Sequence, residues 1–182
     1  PNGPERRVLL DGLDLDILEN LIPLVSTQAE VFSASRNRLT SIAGLVPMFC
    51  LRELVLSHNR IAEVCHVLPF PKLDLLDLSH NQITTISIQI PQSVRRVDLS
   101  FNAIQSLDNI RPVLALPMLE SLNLSANPVC ALMSDFTEQV LKSVPTLRVL
   151  NDNFVVKEKD LTLSTLADRK EGPESSIMDG SN

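Results

Sequence analysis

Apolar residues in this chain recur at fixed offsets around a repeated Ser-x-Asn string. The string stands at Ser35-Arg36-Asn37, Ser57-His58-Asn59, Ser79-His80-Asn81, Ser100-Phe101-Asn102 and Ser125-Ala126-Asn127, so successive copies lie 22, 22, 21 and 25 residues apart. Around each Asn the aliphatic positions hold their phase. They read Leu51, Leu54, Leu56, Asn59, Ile61, Val64, then Leu73, Leu76, Leu78, Asn81, Ile83, Ile86, with Val94, Val97, Leu99, Asn102, Ile104, Leu107 and Leu119, Leu122, Leu124, Asn127, Val129 following. The leanest copy is Ala29, Phe32, Ala34, Asn37, Leu39, Ile42, Leu45.

Alternation just ahead of each Asn (Leu54 and Leu56, Leu76 and Leu78) predicts a short strand whose alternate side chains point inward. One such unit cannot bury its own leucines, so the copies must stack, which predicts a curved solenoid lined by a parallel sheet. An Asn amide both donates and accepts, so Asn37, Asn59, Asn81, Asn102 and Asn127 are expected to form a buried structural ladder that satisfies backbone groups of adjacent turns. Composition fits this picture: 44% of the 182 residues are apolar, yet there are 6 Phe and no Trp or Tyr. A core of aliphatics without large rings suits thin, repetitive layers in one domain.

An exposed repeat edge would offer its strand to other chains, so both ends need caps. At the start, Val8, Leu10, Leu13, Leu15, Leu18 and Leu21 keep the phase with Leu13 in place of the Asn, a degenerate first repeat kept polar by Asp11, Asp14 and Asp16. At the other end, Asp135 to Val144 reads as an amphipathic helix with Phe136, Val140, Leu141 and Val144 on one face, stopped by Pro145. Leu147 to Leu150 then supplies a last strand. Between repeats, Ile83 to Ile90 alternates and predicts an extended outer segment, while the longer spacing around Asp108 to Leu116 predicts a helical turn or two.

The expected organisation is a flexible terminus or cloning remnant over 1–7 and a single repeat domain over 8–170, followed by a disordered tail over 171–182. Within the domain, regular repeats occupy about 29–127, a C-terminal cap about 128–160 and a charged terminal helix about 157–170. A start at Pro1 rather than Met suggests an excised piece of a longer protein.

The pattern L-x-x-L-x-L-x-x-N-x-L, five times in phase, is that of the leucine-rich repeat. The copies resemble the 22-residue class of leucine-rich repeats named after a protein phosphatase 1 regulatory subunit, with Leu18-Glu19-Asn20-Leu21 at its I-E-N-L step. Asn127-Pro128 through Val144-Pro145-Thr146-Leu147-Arg148-Val149-Leu150-Asn151 resembles the C-terminal cap of that class, except that Asn151 stands where the cap usually has Asp. The resemblance implies an α/β fold: a leucine-rich repeat solenoid with a parallel sheet on its concave face, a degenerate N-terminal repeat and a helical C-terminal cap. It also implies protein binding on the concave sheet without catalysis. The stretch from Leu10 to Asn37 looks most like the spliceosomal U2 A-prime-type proteins, which implies a ribonucleoprotein subunit holding an RNA-recognition-motif protein. A cytoskeletal or axonemal dynein-associated light chain is the other alternative, and a phosphatase or kinase partner also fits the class.

Side chains that point away from the core are not dictated by the fold, so they carry the functional signal. The candidate concave residues are Arg36, Arg52, Val55, His58, Leu75, Asp77, His80, Arg95, Arg96, Asp98, Phe101 and Asn123. Arg36, His58, His80, Phe101 and Ala126 form the last outward strand column. Phe101, near Leu75, His80 and Arg96, is the expected hot spot, because aromatic and Arg anchors carry much interface energy. Asp98 is expected to pair with Arg95 or Arg96.

Global chemistry mainly excludes. With 22 acidic against 16 basic residues the net charge is -6, which argues against strong direct nucleic-acid binding. Neither a signal peptide nor a membrane-spanning apolar run is evident, so an intracellular protein, cytoplasmic or nuclear, is expected. Cys50, Cys65 and Cys130 form no CxxC pair and read as small buried hydrophobes in a reducing compartment. His58, His80 and Asp77 on an open sheet lack the walls of a metal site, and no phosphate-cradling loop or nucleophile motif appears, so neither cofactor, metal nor catalysis is expected.

Overall fold

A computed structural model of the chain describes residues 6–18, 28–65 and 70–156. Fourteen short elements follow one another among those residues. They are strands β1 (Arg7–Leu9), β2 (Val31–Ser33), β3 (Glu53–Val55), β4 (Glu63–Val64), β5 (Leu75–Asp77), β6 (Thr85–Ile86) and β7 (Arg96–Asp98), then a 3-10 turn at Leu107–Ile110 and α1 (Arg111–Leu114). After them come β8 (Ser121–Asn123), α2 (Pro128–Leu132), α3 (Phe136–Ser143), β9 (Val149–Leu150) and β10 (Asn153–Phe154).

Stacking of the repeats gives an eight-stranded sheet among the described residues, in the order β1-β2-β3-β5-β7-β8-β9-β10. Every neighbouring pair is parallel except β9 with β10. Phe32, Leu54, Leu76, Val97, Leu122 and Leu150 face one another in register. All six are buried, as a strand that shows alternate residues to opposite faces requires. Truncating one of them, such as Leu76 to Ala, removes packing from both adjacent layers and is expected to cost about 2–5 kcal/mol.

The outer turns follow the expected pattern. A second, two-stranded parallel sheet pairs Glu63 with Thr85 and Val64 with Ile86 on the opposite side of the solenoid. The segment beginning at Ile83 is therefore extended, and the Leu107–Leu114 stretch is helical. Ser106 caps that stretch, its hydroxyl accepting the Asp108 N–H. In the cap, α3 buries Phe136 and Val140, with Val144 buried and Leu141 half-buried behind them. The pattern did not reveal α2, opened by Pro128 at its first turn. Nor did it reveal β10, which folds back antiparallel on β9.

Two expectations are corrected. Leu13 is 56% exposed, because only its backbone takes part in the ladder, its N–H donating to Asn37 Oδ1 at 3.0 Å. The cysteines are not buried: Cys65 is exposed and Cys50 and Cys130 are half-buried, since Cys50 and Cys65 lie on connecting segments and Cys130 on α2, all outside the strand layers. Leu21, the 157–170 helix and the 171–182 tail fall outside the described residues.

Candidate interaction face

The Asn ladder forms the inner edge on which the candidate face is built. Asn59 Oδ1 accepts the Leu39 N–H at 3.0 Å, while its Nδ2 donates to Leu56 O and Ala34 O at 3.0 Å each. Asn37, Asn81, Asn102 and Asn127 repeat the arrangement, each accepting an N–H from the preceding turn and donating to carbonyls of its own and that turn. Asn37, Asn59, Asn102 and Asn127 are buried, and Asn81 is half-buried. Each amide thus ties two turns together, and the ladder is structural.

Bringing each Asn inward requires a sharp backbone turn immediately before it. Arg36, His58, His80, Phe101 and Ala126 supply that turn with φ values of 56°, 55°, 51°, 53° and 56°. L-residues avoid this left-handed region because Cβ approaches the carbonyl, at a cost of roughly 1–2 kcal/mol each. Strand pairing ends three residues earlier, so these are turn residues beyond the strand ends rather than the strand positions expected. The N–H groups of Arg36, His58, His80 and Phe101 donate to the Ser57, Ser79, Ser100 and Ser125 carbonyls at 2.9–3.0 Å, which holds these turns in one file.

Within that file the rings stack. His58 and His80 lie 4.1 Å apart and 10° from parallel. His80 and Phe101 lie 4.2 Å apart and 9° from parallel. Phe101 remains 52% exposed at the end of the stack. His58 is held below its ordinary pKa, first by the desolvation its surroundings impose, then by His80 and by the Arg36 cation, with Asp77 acting in the opposite sense. The imidazoles meet face to face instead of turning their edges to a common point, and the described residues contain no cluster of His, Cys, Asp or Glu arranged to hold a metal.

One column inward, the acidic candidates serve the backbone. Asp77 Oδ1 accepts the Ser79 N–H at 2.9 Å, and Asp98 Oδ1 accepts the Ser100 N–H at 2.8 Å and its hydroxyl at 2.7 Å. Asn123 Oδ1 takes the Ser125 N–H at 3.1 Å in the same way. Asp98 therefore does not pair with Arg95 or Arg96 as expected. Those two arginines turn toward the strand starts, where Arg96 meets Asp74 at 2.7 Å and Glu53 at 4.0 Å, and Arg95 meets Glu120 at 2.7 Å and Asp74 at 3.8 Å. Arg96 aligns with Leu75 across β5 and β7, and Val55 aligns with Asp77 across β3 and β5. Arg52 is exposed.

The face thus splits into two zones. One holds the charge lattice Glu53, Arg96, Asp74, Arg95 and Glu120; the other holds the stacked file with Asp77, Asp98 and Asn123 beside it. Sequence reasoning missed one member, Asp152, whose Oδ2 accepts from Asn123 Nδ2 at 3.3 Å. No repeat offset points to it, because it lies where the chain leaves the repeat.

Comparison with known proteins agrees with this geometry. Residues 49–104 match a family model described as Leucine rich repeat. An acidic leucine-rich nuclear phosphoprotein 32-related protein 1 of Caenorhabditis elegans is 36% identical over 58 residues, 32% of this chain and 25% of that protein. The chain thus spans about a quarter of the curated relative it matches. Among solved structures, the Drosophila melanogaster SNF/U2A' complex contains a chain similar in fold with TM-score 0.59 and 22% identity, over 90% of this chain and 86% of that one. An internalin (inlF) from Listeria monocytogenes matches with TM-score 0.53 and 19% identity, over 72% of this chain and 36% of that one. The chain carries leucine-rich repeats, and its fold is a leucine-rich repeat solenoid.

Proposed function

We propose that this chain is a non-catalytic protein-interaction module that engages a protein partner through its concave sheet, with the file Arg36, His58, His80 and Phe101 as the anchor. The observation that carries this reading is the stack itself. Three planar side chains are held in register on strained turns, and the ring at the end is half exposed. Pre-ordered aromatic surface loses little entropy on binding and dominates interface energy. The solenoid supports the same reading, since its curvature creates an extended binding surface.

A second, narrower reading is a ribonucleoprotein subunit that holds an RNA-recognition-motif protein. Its support is the likeness in fold to a chain of the SNF/U2A' complex along 90% of this one, together with the resemblance of the first repeats to that type of protein. An intracellular and nuclear setting goes with that reading and with the name of the curated relative. Among the described residues no helix is long and apolar enough to cross a membrane.

Affinity capture from the source cell tests both readings, with the chain compared against Phe101→Ala and the outer-face variant Gln89→Ala. Loss of one set of partners in Phe101→Ala alone is the expected result, and an RNA-recognition-motif protein in that set selects the second reading. Equal capture by all three proteins, with equal melting temperatures, would overturn the concave-face assignment.

A further inference from the structure

The stacked file stops abruptly. Its members succeed one another in strand register, and the position after Phe101 is Ala126, which has the same backbone conformation at φ 56° but no ring. One face of Phe101 rests on His80, and the other looks over a methyl group. The opening is about one strand spacing wide, roughly 4.8 Å, which is close to the distance at which flat groups stack.

Acidic groups border this opening. Asn123 sits between two carboxylates, its Nδ2 donating to Asp98 Oδ2 at 3.4 Å and to Asp152 Oδ2 at 3.3 Å. The Asp98 Oδ1 is committed to Ser100, which fixes the direction in which Oδ2 points. Neither carboxylate has a cation within 4.0 Å among the described residues, although Asp74, Glu53 and Glu120 on the same face are all paired. The native charge pattern thus neutralises one half of the concave sheet and leaves the other half negative beside a bare aromatic face.

We propose that this opening is a slot for an arginine side chain of a protein partner. The guanidinium continues the stack on Phe101 above Ala126 and donates to Asp98 and Asp152. A guanidinium suits both walls, since it is flat, weakly hydrated and carries five N–H donors in a fixed fork. A lysine ammonium is a compact, strongly hydrated point charge and continues no stack. Histidine lacks the permanent charge and the second row of donors. This inference rests on the concave-face reading and adds to it the chemistry of the anchor.

The test uses the 15N-labelled chain titrated with N-acetyl-arginine amide and, separately, N-acetyl-lysine amide at equal ionic strength. Arginine is expected to shift the amide resonances of Phe101, Asn123, Ala126 and Asp152 several-fold more than lysine does. Ala126→Phe fills the opening with the ring that the file lacks and is expected to remove the arginine response while the melting temperature stays within a few degrees. Asp98→Asn keeps the Ser100 hydrogen bond and is expected to weaken the response. Equal shifts from the two amides, shifts confined to the Glu53 and Asp74 region, or no localised shift would each overturn the slot. The concave-face reading fails separately: it falls if Phe101→Ala captures the same partners as the unaltered chain, and it stands without the slot if Phe101→Ala loses partners that Ala126→Phe retains.

Discussion

Asn151 Oδ1 accepts the Leu124 backbone N–H at 2.7 Å. In every earlier repeat the equivalent group is held by a backbone carbonyl of the next strand: Leu10 by Ser33, Ala34 by Val55, Leu56 by Asp77, Leu78 by Asp98 and Leu99 by Asn123, at 2.7–2.9 Å. At Asn151 and Asp152 the chain passes through φ 50° and 63° and doubles back into β10. A side chain therefore finishes the ladder that the main chain abandons, and the cap keeps its polar contact although Asp is the usual residue there. An Asp at this position accepts equally well, so Asn151→Asp is expected to change stability by under about 0.5 kcal/mol, whereas Asn151→Leu leaves the Leu124 N–H unpaired and costs about 1–3 kcal/mol. Urea unfolding midpoints of the two variants check this.

The ladder predicts a larger loss at a fully buried amide than at a half-buried one. Asn59 is buried and holds groups of two turns. Asn59→Ala is expected to cost about 3 kcal/mol, because several backbone groups lose partners at once. Asn81, half-buried, is expected to cost on the order of 1–3 kcal/mol. An Asn59→Ala midpoint equal to that of the unaltered chain would contradict the structural role of the Asn.

The left-handed turn at Ala126 makes the opposite prediction. Ala gains nothing there from its side chain and bears the Cβ strain, while Gly relieves the strain and loses more chain entropy on folding. The balance favours Ala126→Gly by about 0.5 kcal/mol. Thermal unfolding should show a rise of a few degrees, and a fall would mean that Ala126 has a packing role not visible in its exposed methyl.

Acidification is expected to weaken the fold through His58. Its pKa is lowered in the folded state, by desolvation first and then by His80 and Arg36. The unfolded chain therefore binds the proton more readily, so this contribution is complete above the unfolded value of about 6.5 and is lost as pH falls through it toward the folded value. His58→Gln is expected to flatten the stability profile in that window. A profile identical to that of the unaltered chain would show that the shift carries no linkage.

The sequence by itself determined the solenoid. Its in-phase Leu and Asn offsets leave one way to bury the aliphatics, and residue type alone assigns the amide of Asn59 or Asn102 to the ladder. It also determined that Ser33, Val55, Asp77, Asp98 and Asn123 face outward, because the strand period is two. The file from Arg36 to Ala126 has the parity of the buried leucines, and its left-handed turns past the strand ends set its direction instead. Tertiary structure decided what those columns do. Asp98, Arg95 and Arg96 are near neighbours in sequence, yet Asp98 turns to Ser100 while the arginines reach Asp74 and Glu120, 22 and 25 residues away. Partner choice on a sheet is set by the approach of strands about 4.8 Å apart, a distance that has no trace in linear spacing. The stack of His58, His80 and Phe101, and its end at Ala126, are likewise geometric. They require one left-handed turn to recur in register, and only the assembled repeats impose that.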